Sequence, residues 1–318
     1  MKKIIYTILL TILCYGTSSA QQFPNYSLYI YNKMAYNPGY TGIPDAPCFL
    51  ALHRSQWIGI EGAPSTQIVS ANLPFLKKRL GIGLQLTNQS IGITRIFSTD
   101  MNYAYHIPIG KGELSVALQG SLRYYAENYN DTRLHATQGV NIDNSIPVGL
   151  QNRYLPNFGT GIYYSASNYY LGASAVRLIQ NDIDFGNNDE FISSEKPHFF
   201  LMGGYSFILS DQVKLQPQTL VKYVSNAPID IEVSVGLELL EKYMFALNYR
   251  AGGEIKAGSG DSADIVFGVQ LSDRFMFAVA YDITLSKLRK YNNGSVEAAL
   301  QYCTGKFSNR EVANPRFF

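Results

Sequence analysis

The sequence predicts an all-β fold, a transmembrane antiparallel β-barrel of about fourteen strands with both termini periplasmic. Three observations carry that prediction. Apolar residues recur at every second position over segments long enough to cross a bilayer on a tilt. The connections between those segments alternate between short and long. The chain opens with an export signal, and its 24 Tyr, 17 Phe, single Trp and 27 Gly suit a membrane barrel better than a soluble enzyme.

The export signal is read from charge and size. Lys2 and Lys3 form a positive start, and 4–13 is an apolar run too short to span a bilayer comfortably. Ser18 and Ala20 are small where a signal peptidase reads them, which places cleavage before Gln21 and makes 1–20 a signal peptide. A lipid anchor on Cys14 is rejected because Ile12 and Leu13 are too bulky before it. The predicted organisation is then a periplasmic N-terminal segment over 21–46, the barrel over 47–305 and a periplasmic tail over 306–318. The formal net charge of +2 implies no nucleic-acid partner.

The alternation is plain on the chain. Ile229, Ile231, Val233, Val235, Leu237 and Leu239 are separated by Asp230, Glu232, Ser234, Gly236 and Glu238. Leu114, Val116, Leu118, Leu122 and Tyr124 interleave with Glu113, Ser115, Gln119, Ser121 and Arg123. Leu80, Ile82, Leu84 and Leu86 alternate with Gly81, Gly83, Gln85 and Thr87, and Phe275 to Ile283 follows the same rule. A soluble sandwich alternates too, but its strands run to about five or six residues in all.

Strands are read at 48–57, 66–74, 80–88, 96–108, 112–127, 157–166, 168–179, 197–209, 213–225, 229–239, 242–251, 262–271, 274–285 and 295–304. The connections 75–79, 109–111, 167, 210–212, 240–241 and 272–273 are short. Those at 128–156, 180–196, 252–261 and 286–294 are long. Short turns on one side and long loops on the other set the orientation of an outer-membrane barrel, short turns inward. Closure removes the open edges that lipid does not tolerate. Aromatic pairs such as Tyr163–Tyr164 and Phe199–Phe200 suit interfacial girdles, with ordinary core packing as the lesser reading. Pro217 lies inside a strand where its missing N–H breaks the ladder, so a bulge or a later strand start is expected there.

Catalytic and metal constellations are not found. His53, His106, His135 and His198 are scattered, away from zinc-ligand spacing. The stretch 258–264 (GSGDSAD) lacks the Lys and helix of a phosphate loop. Asp143, Asp182, Asp184 and Asp189 lie in long loops without EF-hand spacing. No cofactor or catalytic residue is assigned.

Two groups of inward-phase residues stand out. Arg123, Lys214, Lys222, Asp230, Glu232, Glu238 and Glu297 point into the lumen, where they line a channel or pair across a plugged interior. Pairing is favoured because unpaired interior charge is costly. Cys48 and Cys303 fall on the first and last strands, neighbours on closure, and an export compartment permits a disulfide if the register brings their Cα atoms close enough.

The segment Arg54-Ser55-Gln56-Trp57-Ile58-Gly59-Ile60-Glu61-Gly62-Ala63-Pro64 resembles the RSQW-x-G-x-x-G-A-P signature of the PorP/SprF family. Asn37-Pro38-Gly39-Tyr40-Thr41-Gly42 is similar to that family's NPAYAG element, with Gly39 in place of Ala. Asp100 with Tyr103-Ala104-Tyr105, His198-Phe199-Phe200 and Tyr281-Asp282 resemble later family strands. Gly294-Ser295 with Glu297 resembles its GSHE element, Val296 standing in place of His. Asn314-Pro315-Arg316-Phe317-Phe318 resembles its ending. The resemblance covers essentially the whole mature chain. It implies an outer-membrane barrel of type IX secretion and gliding in Bacteroidota. The implied partners, beside outer-membrane lipid, are either periplasmic ring and peptidoglycan-binding proteins or a large secreted adhesin with a type B C-terminal domain.

The motif residues have a physical reading of their own. Trp57 ends the first strand at interfacial depth. Gly59, Gly62 and Pro64 force a tight turn. Arg54 and Gln56 in the lumen phase are expected to hydrogen-bond that turn and hold it to the wall. The motif is thus read as an internal lock, with partner contact as the other reading. Pro315, Arg316 and Phe318 in the tail are read as a docking element for a ring protein or the assembly machinery. A general porin or solute transporter is the competing function, and it differs in needing an open lumen.

Overall fold

The computed structural model describes residues 24–134, 146–183, 185, 194–252 and 261–305. Among them, fifteen strands form one closed antiparallel sheet. In chain order they are β1 (Cys48–Ser55), β2 (Ser65–Phe75), β3 (Leu80–Ile91), β4 (Thr94–Ile109), β5 (Gly112–Asn128), β6 (Leu150–Ser165), β7 (Tyr169–Val176) and β8 (His198–Tyr205). There follow β9 (Phe207–Ser210), β10 (Val213–Val224), β11 (Asp230–Leu239), β12 (Tyr243–Ala251), β13 (Ser262–Gln270), β14 (Phe275–Thr284) and β15 (Ser295–Cys303). Each strand pairs with its neighbour in sequence, and β15 closes on β1. Because β8 and β9 lie end to end along β10, the barrel has fourteen staves.

The division of β8 from β9 traces to Pro217. Gly204 pairs with Gln218 and Phe207 with Leu215, one register on both sides of the gap. Pro217 faces this gap, where it has no N–H to donate. Tyr205 is the residue opposite Pro217, and the next residue, Ser206, keeps its bond on the other side, its N–H donating to the Asn168 carbonyl at 2.8 Å in register with β7. Neither the bulge at Pro217 nor the late strand start expected from sequence occurs. A register shift sits farther along, between Val213 and Lys214.

The wall separates the two side-chain phases cleanly. On β11, Ile231, Val233, Val235 and Leu237 are exposed, while Asp230, Glu232, Ser234 and Glu238 are buried. On β5, Leu118 is 66% exposed and the adjoining Gln119 only 8%. The apolar rows therefore face outward, the arrangement lipid selects, and the polar rows face a protected interior. Among the described residues no helix is long and apolar enough to cross a membrane.

The connections 76–79, 110–111, 166–168, 211–212, 240–242 and 271–274 share one end of the barrel. The longer ones share the other. One expected loop is shorter than read: β6 begins at Leu150, because the extended β5 offers it pairing out to Asn128.

The largest departure from expectation is at the start of the described chain. Residues 24–46 do not lie outside the barrel; they fill it. Leu28, Tyr29, Tyr36 and Asn37 are fully buried. The segment is built from three short 3-10 turns, Tyr29–Tyr31, Lys33–Ala35 and Pro38–Tyr40. Asn25 meets Lys222 beside the 225–229 connection, so the described chain begins at the long-loop end and descends to enter β1 at the short-turn end. Residues 24–46, expected outside the barrel, thus lie within its wall. The physical reason is the lumen itself: a fourteen-stave wall lined by charge and glycine needs polar and aromatic filling.

Candidate functional site

The site is the junction of this plug with the lumen wall, and it has two anchors. The upper anchor is ionic. Period-two phase turns Arg54, Glu232, Arg250, Asp264, Asp282 and Glu297 inward from neighbouring staves near the long-loop end. Arg54 contacts Glu297 at 3.0 Å and Asp282 at 2.8 Å. Arg250 contacts Glu232 at 3.3 Å, Asp264 at 3.4 Å and Asp282 at 3.6 Å. Lys222 adds Asp230 at 3.4 Å and Glu232 at 3.5 Å. The low local dielectric makes such a cluster strong only when it is fully hydrogen-bonded.

The plug adds to that bonding. Glu297 accepts the N–H groups of Ser27 and Leu28 at 2.9 and 3.1 Å. Arg54 donates to the Ser27 hydroxyl at 2.9 Å, and Asn248 donates to the Ser27 carbonyl at 2.9 Å. Ser27 is thus held by backbone and side chain from β1, β12 and β15. Lys222 donates to Asn25 at 2.6 Å from β10.

The lower anchor is steric and directional, and it is made by the segment 37–42. Asn37 caps the Pro38–Tyr40 turn by accepting from Gly39 N–H at 2.8 Å, with Pro38 at the first helical position. Its amide donates to the Ile162 carbonyl of β6 at 3.0 Å. Asn72 accepts from Gly42 N–H at 2.6 Å, and the His106 ring meets the Thr41 carbonyl at 3.0 Å. Wall and plug approach so closely that a Cβ on Gly161 would sit 2.2 Å from the Asn37 side-chain oxygen. Gly42, at φ +80°, passes Gly81 with the same lack of room.

Between the anchors lies an aromatic packing. Tyr36 meets Tyr26, Tyr29 and Phe200 edge-on at 5.8, 6.5 and 5.3 Å between centroids. Its hydroxyl accepts from Tyr26 N–H at 3.0 Å and donates to the Pro24 carbonyl, folding the segment on itself. Lys33 lies 4.1 Å from the Tyr170 ring centroid, a cation–π geometry. Two cavities beside the plug measure about 40 Å³ next to Pro24 and about 20 Å³ next to Lys33.

Of the residues singled out in the sequence, Arg54, Asp282 and Glu297 come together in the upper anchor, and Asn37 and Pro38 form the lower one. Gln56, Trp57, Gly59, Gly62 and Pro64 lie elsewhere, in the 56–64 loop. There Gln56 N–H donates to the Pro64 carbonyl at 2.9 Å. The loop is tied to 285–294 by Ile58 N–H to Gly294 at 2.8 Å, and to the β3–β4 turn by Gly92 N–H to Gly62 at 2.8 Å. Arg54 does not reach this loop, contrary to expectation, because its guanidinium is taken by two carboxylates and Ser27. Trp57 does not end β1, which stops at Ser55; it turns the chain at φ +50°, with Gly59 at +100° and Gly62 at +73°. Pro315, Arg316 and Phe318 lie outside the described residues.

Other inward charges read from the sequence also find partners. Arg123 meets Glu195 of the β7–β8 connection, and Lys214 meets Glu238 at 3.2 Å. Cys48 and Cys303 face each other in register and form a disulfide across the closing seam, with Cα atoms 4.1 Å apart. The reading of the sequence missed Ser27, Asn248, Arg250 and the buried tyrosines. Arg250 carried a signal, since it shares the inward phase of Asn248. Among the described residues no group of His, Cys, Asp or Glu could hold a metal ion.

Residues 18–302 match the family of type IX secretion system membrane proteins PorP/SprF. The chain belongs to that family. As a PorP/SprF protein it is an outer-membrane β-barrel, and the family is not one of enzymes. Comparison with curated proteins gave no significant match. Among solved structures, the barrel resembles a deletion mutant of TodX, a monoaromatic hydrocarbon channel. The TM-score is 0.50 at 8% identity, over 90% of this chain and 96% of that one. It also resembles a FadL homologue of Pseudomonas aeruginosa, at TM-score 0.45 and 11% identity over 91% and 96% of the two chains. Omp33 of Acinetobacter baumannii aligns at TM-score 0.45 and 6% identity over 81% and 99%. These likenesses concern the fold.

Proposed function

We propose that this PorP/SprF protein is a closed outer-membrane platform of the type IX secretion machinery. It holds periplasmic ring and peptidoglycan-binding proteins, or one large secreted adhesin, at the membrane and does not conduct solutes. The observation that carries this reading is the filled lumen. Residues 24–46 occupy the space a porin keeps open, and they are bonded to staves all round the wall. In this reading the long loops face outward and the short turns face the periplasm. Leu76, Leu240 and Leu271 project from three of those turns, each more than half exposed, and are suited to anchor a partner. The 56–64 loop is the lock of the opposite rim, because its bonds run to neighbouring loops.

Crosslinking in intact cells followed by purification from the outer membrane tests the proposal. Recovery of periplasmic ring proteins supports the core anchoring role, and recovery of a single large adhesin supports the dedicated one. Recovery of the barrel alone, with crosslinkers that reach the short turns, contradicts both.

A further inference from the structure

The β14–β15 connection carries chemistry that the plug and its anchors leave unused. Its 3-10 turn Lys287–Lys290 has the sequence KLRK, and Lys287, Arg289 and Lys290 are all exposed. Among the described residues none of these cations has a carboxylate partner. Arg133 of the same rim, by contrast, is paired with Asp131 at 2.7 Å. Three unpaired cations in one turn repel one another, a cost of placement that a bound anion offsets.

A groove beside Arg289 gives the anion a shape. A recess of about 370 Å³ runs between Arg289 and the outer wall, lined by Tyr281, Ile283, Leu285 and Asn293. Its floor is continuous with the lipid-facing surface. Tyr281 is 45% exposed and lies in register between Ile265 of β13 and Val296 of β15, both also exposed. The Tyr281 hydroxyl donates to the Asn293 carbonyl at 2.8 Å, which fixes the ring at the join of wall and loop. The recess is therefore cationic on top and apolar below, at the depth where a headgroup meets its acyl chains.

We propose that this groove is a binding site for a phosphate-bearing lipid of the leaflet that meets the long-loop rim. The Arg289 guanidinium, flanked by Lys287 and Lys290, takes the phosphate oxygens, and an acyl chain lies along Tyr281, Ile283 and Val296. Arginine matches phosphate with two parallel donors, and each added cation near an anionic headgroup strengthens the hold. A free phosphate would use the cations alone and leave the apolar floor empty, so the lipid is the occupant that uses both.

Native mass spectrometry of the full-length protein in detergent, with added phosphatidylglycerol or phosphatidylcholine, tests the site. One phosphatidylglycerol adduct is expected to survive activation that strips phosphatidylcholine. Arg289→Gln should weaken it about fivefold, and reversal of all three cations to Glu should remove it. Arg289→Lys should retain most of it, and Tyr281→Ala should weaken it without changing the charge. Equal retention of the two lipids, or equal retention by wild type and the triple reversal, would overturn the proposal. So would displacement of the adduct by millimolar inorganic phosphate, which would mark a simple anion site. Heat-modifiability on gels checks that each variant is a folded barrel before it is compared.

Discussion

Arg54 of β1 and Glu297 of β15 face each other across the seam where the barrel closes, 3.0 Å apart and both buried, with Ser27 of the plug bonded to each. One contact thus joins barrel closure to lumen filling. Its loss should be felt in both.

Arg54→Ala leaves Glu297 and Asp282 buried without their shared cation. The expected cost is about 3–5 kcal/mol, the range for breaking a buried pair from one side. A lower unfolding temperature in detergent, read by loss of heat-modifiability, is the check. Changing Arg54 and Glu297 together to Leu should cost less than Arg54→Ala alone, since Glu297 is no longer stranded and Asp282 keeps Arg250 at 3.6 Å. A double variant that is worse than the single would remove the ion pair from the account.

Gly161→Ala tests the lower anchor. The added Cβ would stand 2.2 Å from the Asn37 oxygen, so Asn37 must give way and the plug must shift. The expected penalty is about 1–3 kcal/mol, with the barrel intact. Limited proteolysis should cut within 24–46 faster than in the wild type, while the wall stays resistant. An unchanged cleavage pattern would show that the close approach carries no weight.

Cys48→Ser opens the seam disulfide, which ties the first stave to the last. The wild type should migrate differently on gels with and without reductant, and the variant should not. The stability difference is expected at about 2–5 kcal/mol, and reducing the wild type should reproduce it.

Leu118→Arg tests which face meets lipid. Leu118 is 66% exposed near the middle of β5, and arginine at bilayer depth is expected to cost about 2–4 kcal/mol. The fraction of barrel inserted into vesicles should fall accordingly. Full insertion of the variant would contradict a lipid-facing row there.

The wall was legible in the sequence because its signal is local. Ile231 and Glu232 differ in phase by one position, and that alone assigns one to lipid and the other to the lumen. All fourteen staves were found this way, with the largest boundary error at Leu150. The partners of the inward residues were not legible. That Arg54 meets Glu297 depends on closure and register, set by residues far away in the chain. The plug was missed for a different reason. Residues 24–46 have neither the period of a strand nor that of a helix, since three short 3-10 turns impose none. Their only mark was aromatic density before the first strand, with Tyr26, Tyr29, Tyr31, Tyr36 and Tyr40 close together. The break at Pro217 was visible as a conflict but not as a solution, because the residue opposite it, Tyr205, is on the neighbouring stave.

The most direct test of the central claim, that residues 24–46 close the lumen, is single-channel recording of the purified protein in planar bilayers. The wild type should show no steady conductance, and a variant whose signal peptide joins directly to residue 43 should open. A stable, ohmic channel in the wild type would contradict the account.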